Sequence, residues 1–173
     1  EEGYDPGKYW QNGDAVATAF YNCLSLTFPR GEAFFIESVK AFRDHTPEKL
    51  QNEIRAFVKQ EVIHSREHLA LNRRVEENGY DTSRIEKRIT ESLAMTKDRP
   101  EITNLAATMI LEHFTAIMAQ QFLANPLHWK NSDEETAENE AAKIPALQAG
   151  YRPGNHHSLV QIFSARISSV ERG

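Results

Sequence analysis

Apolar residues recur at helical spacing from Asp14 to about Ala124, which is most of the chain. Over this range no stretch alternates strictly between apolar and polar side chains, as a half-buried strand would, and β-branched clusters bounded by turns are few. The pattern therefore predicts an all-α fold, and the number of amphipathic segments predicts a helical bundle.

Local signals divide the first part of this range into separate predicted helices. Asp14 is a good N-cap for a first helix that ends near Thr27, and Pro29 then restarts the chain into a second helix. Thr46 followed by Pro47 is typical of an N-cap and a first helical residue, so a third, long helix is predicted to begin there.

The remaining boundaries follow from capping and turn signals. The Asn-Gly pair at residues 78–79 ends the long helix. Capping boxes at residues 83–86 and 98–101 open a short helix and then a longer one, which ends at the Asn-Pro pair at residues 125–126. The last of these helices is apolar on nearly every side, as expected for a helix in the middle of a bundle.

The rest of the chain is of a different kind. Residues 1–130 are predicted to form the helical domain, whereas residues 131–173 begin with an acidic stretch, contain several Pro and Gly residues and form a predicted polar tail. Apolar residues at helical spacing over about residues 158–170 predict a short terminal helix. The histidines at 156 and 157 lie in a Gly/Pro-flanked segment and are expected to be exposed.

Composition excludes several classes of function. A net charge of -5 gives no electrostatic reason to bind nucleic acid. Cys23 is the single cysteine, so neither an intrachain disulfide nor a cysteine-based zinc cluster can form, and we expect it to be buried. No run reaches the roughly 18 consecutive apolar residues of a transmembrane helix, and the acidic N-terminal segment is unlike a signal peptide. We therefore expect a cytoplasmic protein without a transmembrane segment.

One segment of the long helix carries residues that can bind a metal. Glu61, His64 and His68 are spaced at i, i+3 and i+7 and so share one helical face. Apolar neighbours indicate that this part of the helix packs inward, where a lone carboxylate is costly unless it is paired or bound to a cation. The alternative is an ordinary intrahelical pair, because an isolated Glu-x-x-His is common in helices.

Two further carboxylates lie in apolar helices. Glu37 follows two phenylalanines and an isoleucine, and Glu112 follows Met-Ile-Leu. Carboxylate-bridged sites in bundles take a Glu from each of two helices and a Glu-x-x-His from each of two others. The alternatives are that Glu37 lies at the boundary beside Lys40, and that Glu112 pairs with a cation on a neighbouring helix.

These motifs resemble a family of bacterial proteins known as predicted metal-dependent hydrolases, a ferritin-like group similar to the diiron amine N-oxygenases. The resemblance rests on residues 28–39 (FPRGEAFFIESV), 42–44 (FRD), 60–68 (QEVIHSREH) and 111–116 (LEHFTA), and covers about residues 10–130. It implies a ferritin-like bundle and a small-molecule substrate. The metal ligands that it implies are Glu37, Glu61, His64 and Glu112, with His68 close by.

The ligand types, rich in Glu with few His and no Cys, favour iron or manganese over zinc. The chemistry is either hydrolysis by a metal-bound hydroxide or oxygen activation at a carboxylate-bridged iron pair, and these stay open. A glutamate such as Glu67 can assist proton transfer or form a surface ion pair with a nearby arginine.

The family pattern includes a closing helix with a second Glu-x-x-His, which would complete a site for two ions. Glu61-x-x-His64 is the single such motif in this chain. We therefore expect a bundle that is incomplete at its C-terminus and that holds one ion or none. A noncatalytic metal-binding remnant or interaction protein is the alternative class. Its exposed groove would be closed by self-association into a homo-oligomer or by the tail.

Overall fold

The computed structural model describes residues 8–11 and 13–124, and for residues 120 and 122–124 it describes the backbone alone. Every regular element in this part of the chain is a helix, which confirms the all-α prediction. The predicted polar tail, with its short helix and its two histidines, lies outside the described residues. The four helices are α1 (Ala15–Arg43), α2 (Glu48–Glu77), α3 (Ser83–Ala94) and α4 (Glu101–Ala124).

α1 is one continuous helix, although two were predicted. Asp14 caps it as expected, because its carboxylate accepts hydrogen bonds from the backbone N–H groups of Val16 and Ala17. Pro29 lies inside the helix. An internal proline removes one backbone hydrogen bond and costs about 3 kcal/mol, which is why the local signal predicted a break. Residues on both sides of Pro29 are buried on one common face, so tertiary packing keeps the helix continuous.

The predicted boundaries of the next helices hold to within one or two residues. α2 begins one residue later than predicted, and Thr46 donates its hydroxyl to the Arg43 carbonyl at 2.8 Å instead of capping α2. Gly79 ends α2 as predicted and adopts a φ of +82°, which suits glycine. The predicted capping box of α3 does not form, because Ser83 already lies inside that helix, and its backbone N–H donates to the carboxylate of Asp81 at 3.0 Å.

α1 is the central helix, and it packs against each of the other three. An apolar core joins its C-terminal half to the N-terminal halves of α2 and α4. The buried members of this core are Phe35, Val39, Phe42, Leu50, Ile54, Phe57 and Leu105. Further along α1, towards its N-terminus, all of the buried side chains except Leu26 are polar. The fold therefore places a polar, buried zone directly beside the apolar core.

α4 is less buried than its composition predicted. Within the described part of the chain, Ile110, Leu111, Phe114 and Ile117 are exposed, and Phe114 is 64% exposed. α4 was expected to be surrounded on all sides, but among the described helices α1 is the one that it packs against most. Cys23, also expected to be buried, is exposed.

The same helix passes a simple test for crossing a membrane. Residues Glu101–Ala119 form a 19-residue window with a mean hydropathy of 1.3, of which 11% is buried. We expected no transmembrane segment, because the helix has no long uninterrupted apolar run. The mean hydropathy of the window is nevertheless high, because its many apolar residues outweigh the glutamates at its start and near its middle. Length and composition alone are weak evidence, since the core helix of a soluble protein passes the same test.

Candidate metal centre

Glu32 is the most deeply buried carboxylate among the described residues. It lies on the core face of α1, in phase with buried Ser25 and Val39, and it is 1% exposed. Neither of its carboxylate oxygens has a hydrogen-bond partner. Buried carboxylate oxygens are normally hydrogen-bonded or bound to a cation, because an unpaired buried charge costs several kcal/mol. Glu32 is therefore a candidate ligand for a cation.

α2 carries three predicted site residues in the region of Glu32, namely Glu61, His64 and His68. Glu61 is 2% exposed, and its pKa is raised to about 9, first by burial and then by the nearby carboxylates of Glu112 and Glu32. His64 Nδ1 lies 2.7 Å from Oε1 of Glu32. This contact is short enough for an ion pair, but it lacks the alignment of a hydrogen bond, so it leaves Glu32 unsatisfied.

α4 completes the group of carboxylates with Glu112. The pKa of Glu112 is raised to about 7, the net result of burial, which raises it most, of the imidazole of His64, which lowers it, and of the carboxylate of Glu32, which raises it. Glu112 therefore interacts electrostatically with His64 of α2 and Glu32 of α1, and it forms no ion pair with a Lys or Arg of the described residues. Three carboxyl groups from three helices thus interact electrostatically, and the imidazole of His64 interacts with two of them.

Such a cluster cannot be fully ionised without a compensating positive charge. Desolvation and then repulsion between neighbouring carboxylates raise the pKa values of Glu61 and Glu112, as found where several acids share a buried site. One ligand atom each from Glu32, His64 and His68 lie within 4.8 Å of one another, which is close enough to hold one metal ion. Carboxylate and imidazole ligands without thiolates suit iron, manganese or another first-row divalent ion.

The imidazoles are held by aromatic and polar neighbours. Phe28 stacks on His68, with ring centroids 4.2 Å apart and an interplanar angle of 4°. The same ring meets His64 edge-on at 5.3 Å. Nδ1 of His68 lies 2.9 Å from the hydroxyl oxygen of Ser25, a buried residue of α1. The site is therefore built by packing between α1 and α2 as well as by electrostatics.

Comparison with known families agrees with this geometry. The pattern of the family described as predicted metal-dependent hydrolases matches residues 3–139, which is most of the chain. The chain belongs to this family. No curated protein and no solved structure matches it. The metal-dependent hydrolase family thus supplies the class of protein, and the geometry of these helices supplies the side chains that can bind the metal.

In this member of the metal-dependent hydrolase family, Glu37 does not join the cluster. Its side chain is 79% exposed and lies 4.0 Å from Lys40, which is the alternative that the sequence left open. Glu32 takes its place on the inner face of α1. Five positions along a helix correspond to a rotation of about 140°, so Glu32 and Glu37 cannot face the same neighbour.

The prediction missed Glu32 because Pro29 was taken as a helix break. Once α1 is continuous, Ser25, Glu32 and Val39 follow one another at seven-residue spacing on one stripe. This in-phase carboxylate was the signal that could have identified Glu32. Glu67 forms the predicted surface ion pair with Arg66 at 3.4 Å and is not a member of the cluster.

Proposed function

We propose that this member of the metal-dependent hydrolase family binds a divalent cation through Glu32, Glu61, His64 and Glu112. The observation that carries the proposal is the burial of Glu32, whose two oxygens lack hydrogen-bond partners beside the imidazole of His64. A cation held between these groups would satisfy both oxygens and neutralise the carboxylates that repel one another. His68 contacts His64 at the edge of this group.

Iron or manganese is the proposed metal, because the ligands are mainly carboxylates with imidazole. When bound, such a cation polarises a substrate carbonyl or phosphoryl oxygen and lowers the pKa of water. The residues of the chain hold the cation, and the Phe28 ring covers both imidazoles and limits the access of water to them. The proposed activity is hydrolysis of a small-molecule substrate within a ferritin-like arrangement of helices.

The number of ions separates this activity from oxygen activation at an iron pair. Among the described residues, one group of side chains has its ligand atoms within binding distance of a single ion, namely Glu32, His64 and His68, and the printed sequence contains a single Glu-x-x-His. This supports a site for one ion, whereas oxygen activation at an iron pair needs ligands for two. A noncatalytic metal-binding protein would bind the same ion and turn over no substrate.

The test is metal content measured on the purified protein and on matched variants. We expect about one equivalent of iron or manganese in the wild type, a large loss in Glu32→Gln, and no loss in Glu37→Gln. The two variants carry the same chemical change on the same helix, but one side chain is buried at the site and the other is exposed. Equal metal content in wild type and Glu32→Gln would refute the proposal.

Activity is tested after metal loading. The loaded protein should hydrolyse members of a panel of small esters, amides and phosphodiesters, and Glu32→Gln should lose this activity while Glu37→Gln keeps it. Oxygen consumption with a reductant, in the absence of hydrolysis, would instead assign the oxidative alternative. Stoichiometric metal binding with neither activity over a broad panel would assign the noncatalytic one.

A further inference from the structure

A chain of hydrogen bonds runs from α2 through α1 to the proposed metal site. Ser25 Oγ lies 2.8 Å from Oδ1 of Asn72 and 2.9 Å from Nδ1 of His68. His68 Nε2 then lies 3.1 Å from Nε2 of His64. Ser25 and Asn72 are both buried, so water competes little for these contacts.

The direction of the chain is fixed at Asn72. Its Nδ2 donates to the backbone carbonyl of Ser25 at 3.3 Å, so its Oδ1 faces the Ser25 hydroxyl as an acceptor. Pro29 makes this contact available. It lies four residues after Ser25 and has no N–H to donate to the Ser25 carbonyl. With any other residue at position 29, that carbonyl would already accept a helical hydrogen bond. Asn72 supplies the missing donor.

Each later bond follows from the one before it. A serine hydroxyl has one hydrogen, and Ser25 donates it to Asn72, so Ser25 can only accept from His68 Nδ1–H. A neutral imidazole with a proton on Nδ1 has its lone pair on Nε2. His68 Nε2 therefore accepts from Nε2–H of His64.

In a neutral His64 this order leaves the lone pair on Nδ1, which lies 2.7 Å from Oε1 of Glu32. No hydrogen bond joins the two atoms. Two lone pairs at this distance repel unless a cation lies between or beside them. Cis ligands of one ion, each at about 2.1 Å, are about 3 Å apart, so the spacing of these two atoms suits two ligands of the same metal.

We propose that Ser25 and Asn72 are positioning residues that act through His68 to present the Nδ1 lone pair of His64 to the metal. The proposal rests on the proposed function, and it makes His68 a support for His64 and not a ligand. Partners of this kind fix the tautomer and ring orientation of a metal-bound histidine. Their loss typically weakens metal binding by about 10–100-fold.

The direct test is the tautomer of each histidine by long-range proton–nitrogen NMR on protein labelled with ¹⁵N-histidine. In the Zn²⁺-loaded wild type at about pH 8, we expect Nδ1–H on His68, and Nε2–H with a metal-bound Nδ1 on His64. A His68→Gln variant assigns the resonances. Metal bound to Nε2 of His68, or a proton on that nitrogen, would overturn the proposal.

Variants test the chain of contacts. We expect Mn²⁺ binding to weaken by about 10–100-fold in each of the variants Ser25→Ala and Asn72→Ala. The double variant should bind Mn²⁺ only slightly less tightly than the single variant with the lower affinity, because both residues act through His68. Ser38→Ala is the matched control. Ser38 is also a buried serine of α1, but its hydroxyl contacts Thr108 at 2.7 Å, away from the imidazoles.

Failure of this inference can be told apart from failure of the proposed function. If wild type binds no metal, the proposed function fails, and the tautomer of His68 in the metal-free protein still tests the direction of the chain. If wild type binds metal and Ser25→Ala binds it equally well with an unchanged His68 tautomer, the positioning role is wrong and the metal site stands. A loss in Ser38→Ala as large as in Ser25→Ala would also refute the role.

Discussion

Replacing Glu61 by glutamine should stabilise the metal-free protein while weakening the metal site. Burial and two neighbouring carboxylates raise the pKa of Glu61 from an ordinary 4.5 to about 9. Between these values the folded state holds a proton that the unfolded state releases, so the free energy of unfolding falls as pH rises. Each pH unit contributes about 1.4 kcal/mol, which amounts to about 3 kcal/mol by pH 7.

The glutamine side chain of the Glu61→Gln variant would have nearly the shape of the protonated acid and would not ionise. We therefore expect this variant to match the wild type near pH 4.5 and to exceed it by about 3 kcal/mol at pH 7. The measurement is urea denaturation in the presence of a chelator at pH 5 and pH 7. Glu37→Gln is the control and should change little at either pH, because Glu37 is exposed.

Metal should reverse the order of stability. A ligand at one thousand times its dissociation constant stabilises the folded state by about 4.1 kcal/mol, which exceeds the difference of about 3 kcal/mol, and this gain should be largest for the wild type. The reasoning is refuted if Glu61→Gln is no more stable than wild type at pH 7 without metal. It is also refuted if the difference between the two proteins does not depend on pH.

Three further predictions concern the scaffold. Phe42→Ala should lower the free energy of unfolding by about 3–5 kcal/mol in a denaturation titration, because it leaves a cavity in the apolar core, and an effect below about 1 kcal/mol would contradict the packing described. Pro29→Ala should raise the free energy of unfolding by up to about 3 kcal/mol, because the new backbone N–H restores a helical hydrogen bond to the Ser25 carbonyl. The same N–H would compete with Asn72 for that carbonyl, so Mn²⁺ binding should weaken. Unchanged affinity for Mn²⁺ would contradict this competition. If the protein self-associates through the exposed apolar side of α4, light scattering should give the wild type a mass above the 19.7 kDa of one chain. The Phe114→Glu variant should then be a monomer. A monomeric wild type would contradict self-association.

The sequence alone determined the helices and the part of the site that lies on one of them. Glu61, His64 and His68 share a face because helical geometry fixes the direction of side chains three, four and seven residues apart, whatever the rest of the fold does. Glu112 was also predictable as a candidate, since an acid in the middle of an apolar helix must face a compensating group. Both arguments use only neighbours along the chain.

Tertiary structure decided the contribution of α1. Rules based on neighbouring residues predict a helix break at Pro29. In the structure, the packing of both halves of α1 against other helices outweighs the cost of one lost hydrogen bond. That continuity turns Glu32 inward and Glu37 outward. It also leaves the Ser25 carbonyl open to a side chain from another helix, a contact between residues 47 positions apart that no local pattern specifies.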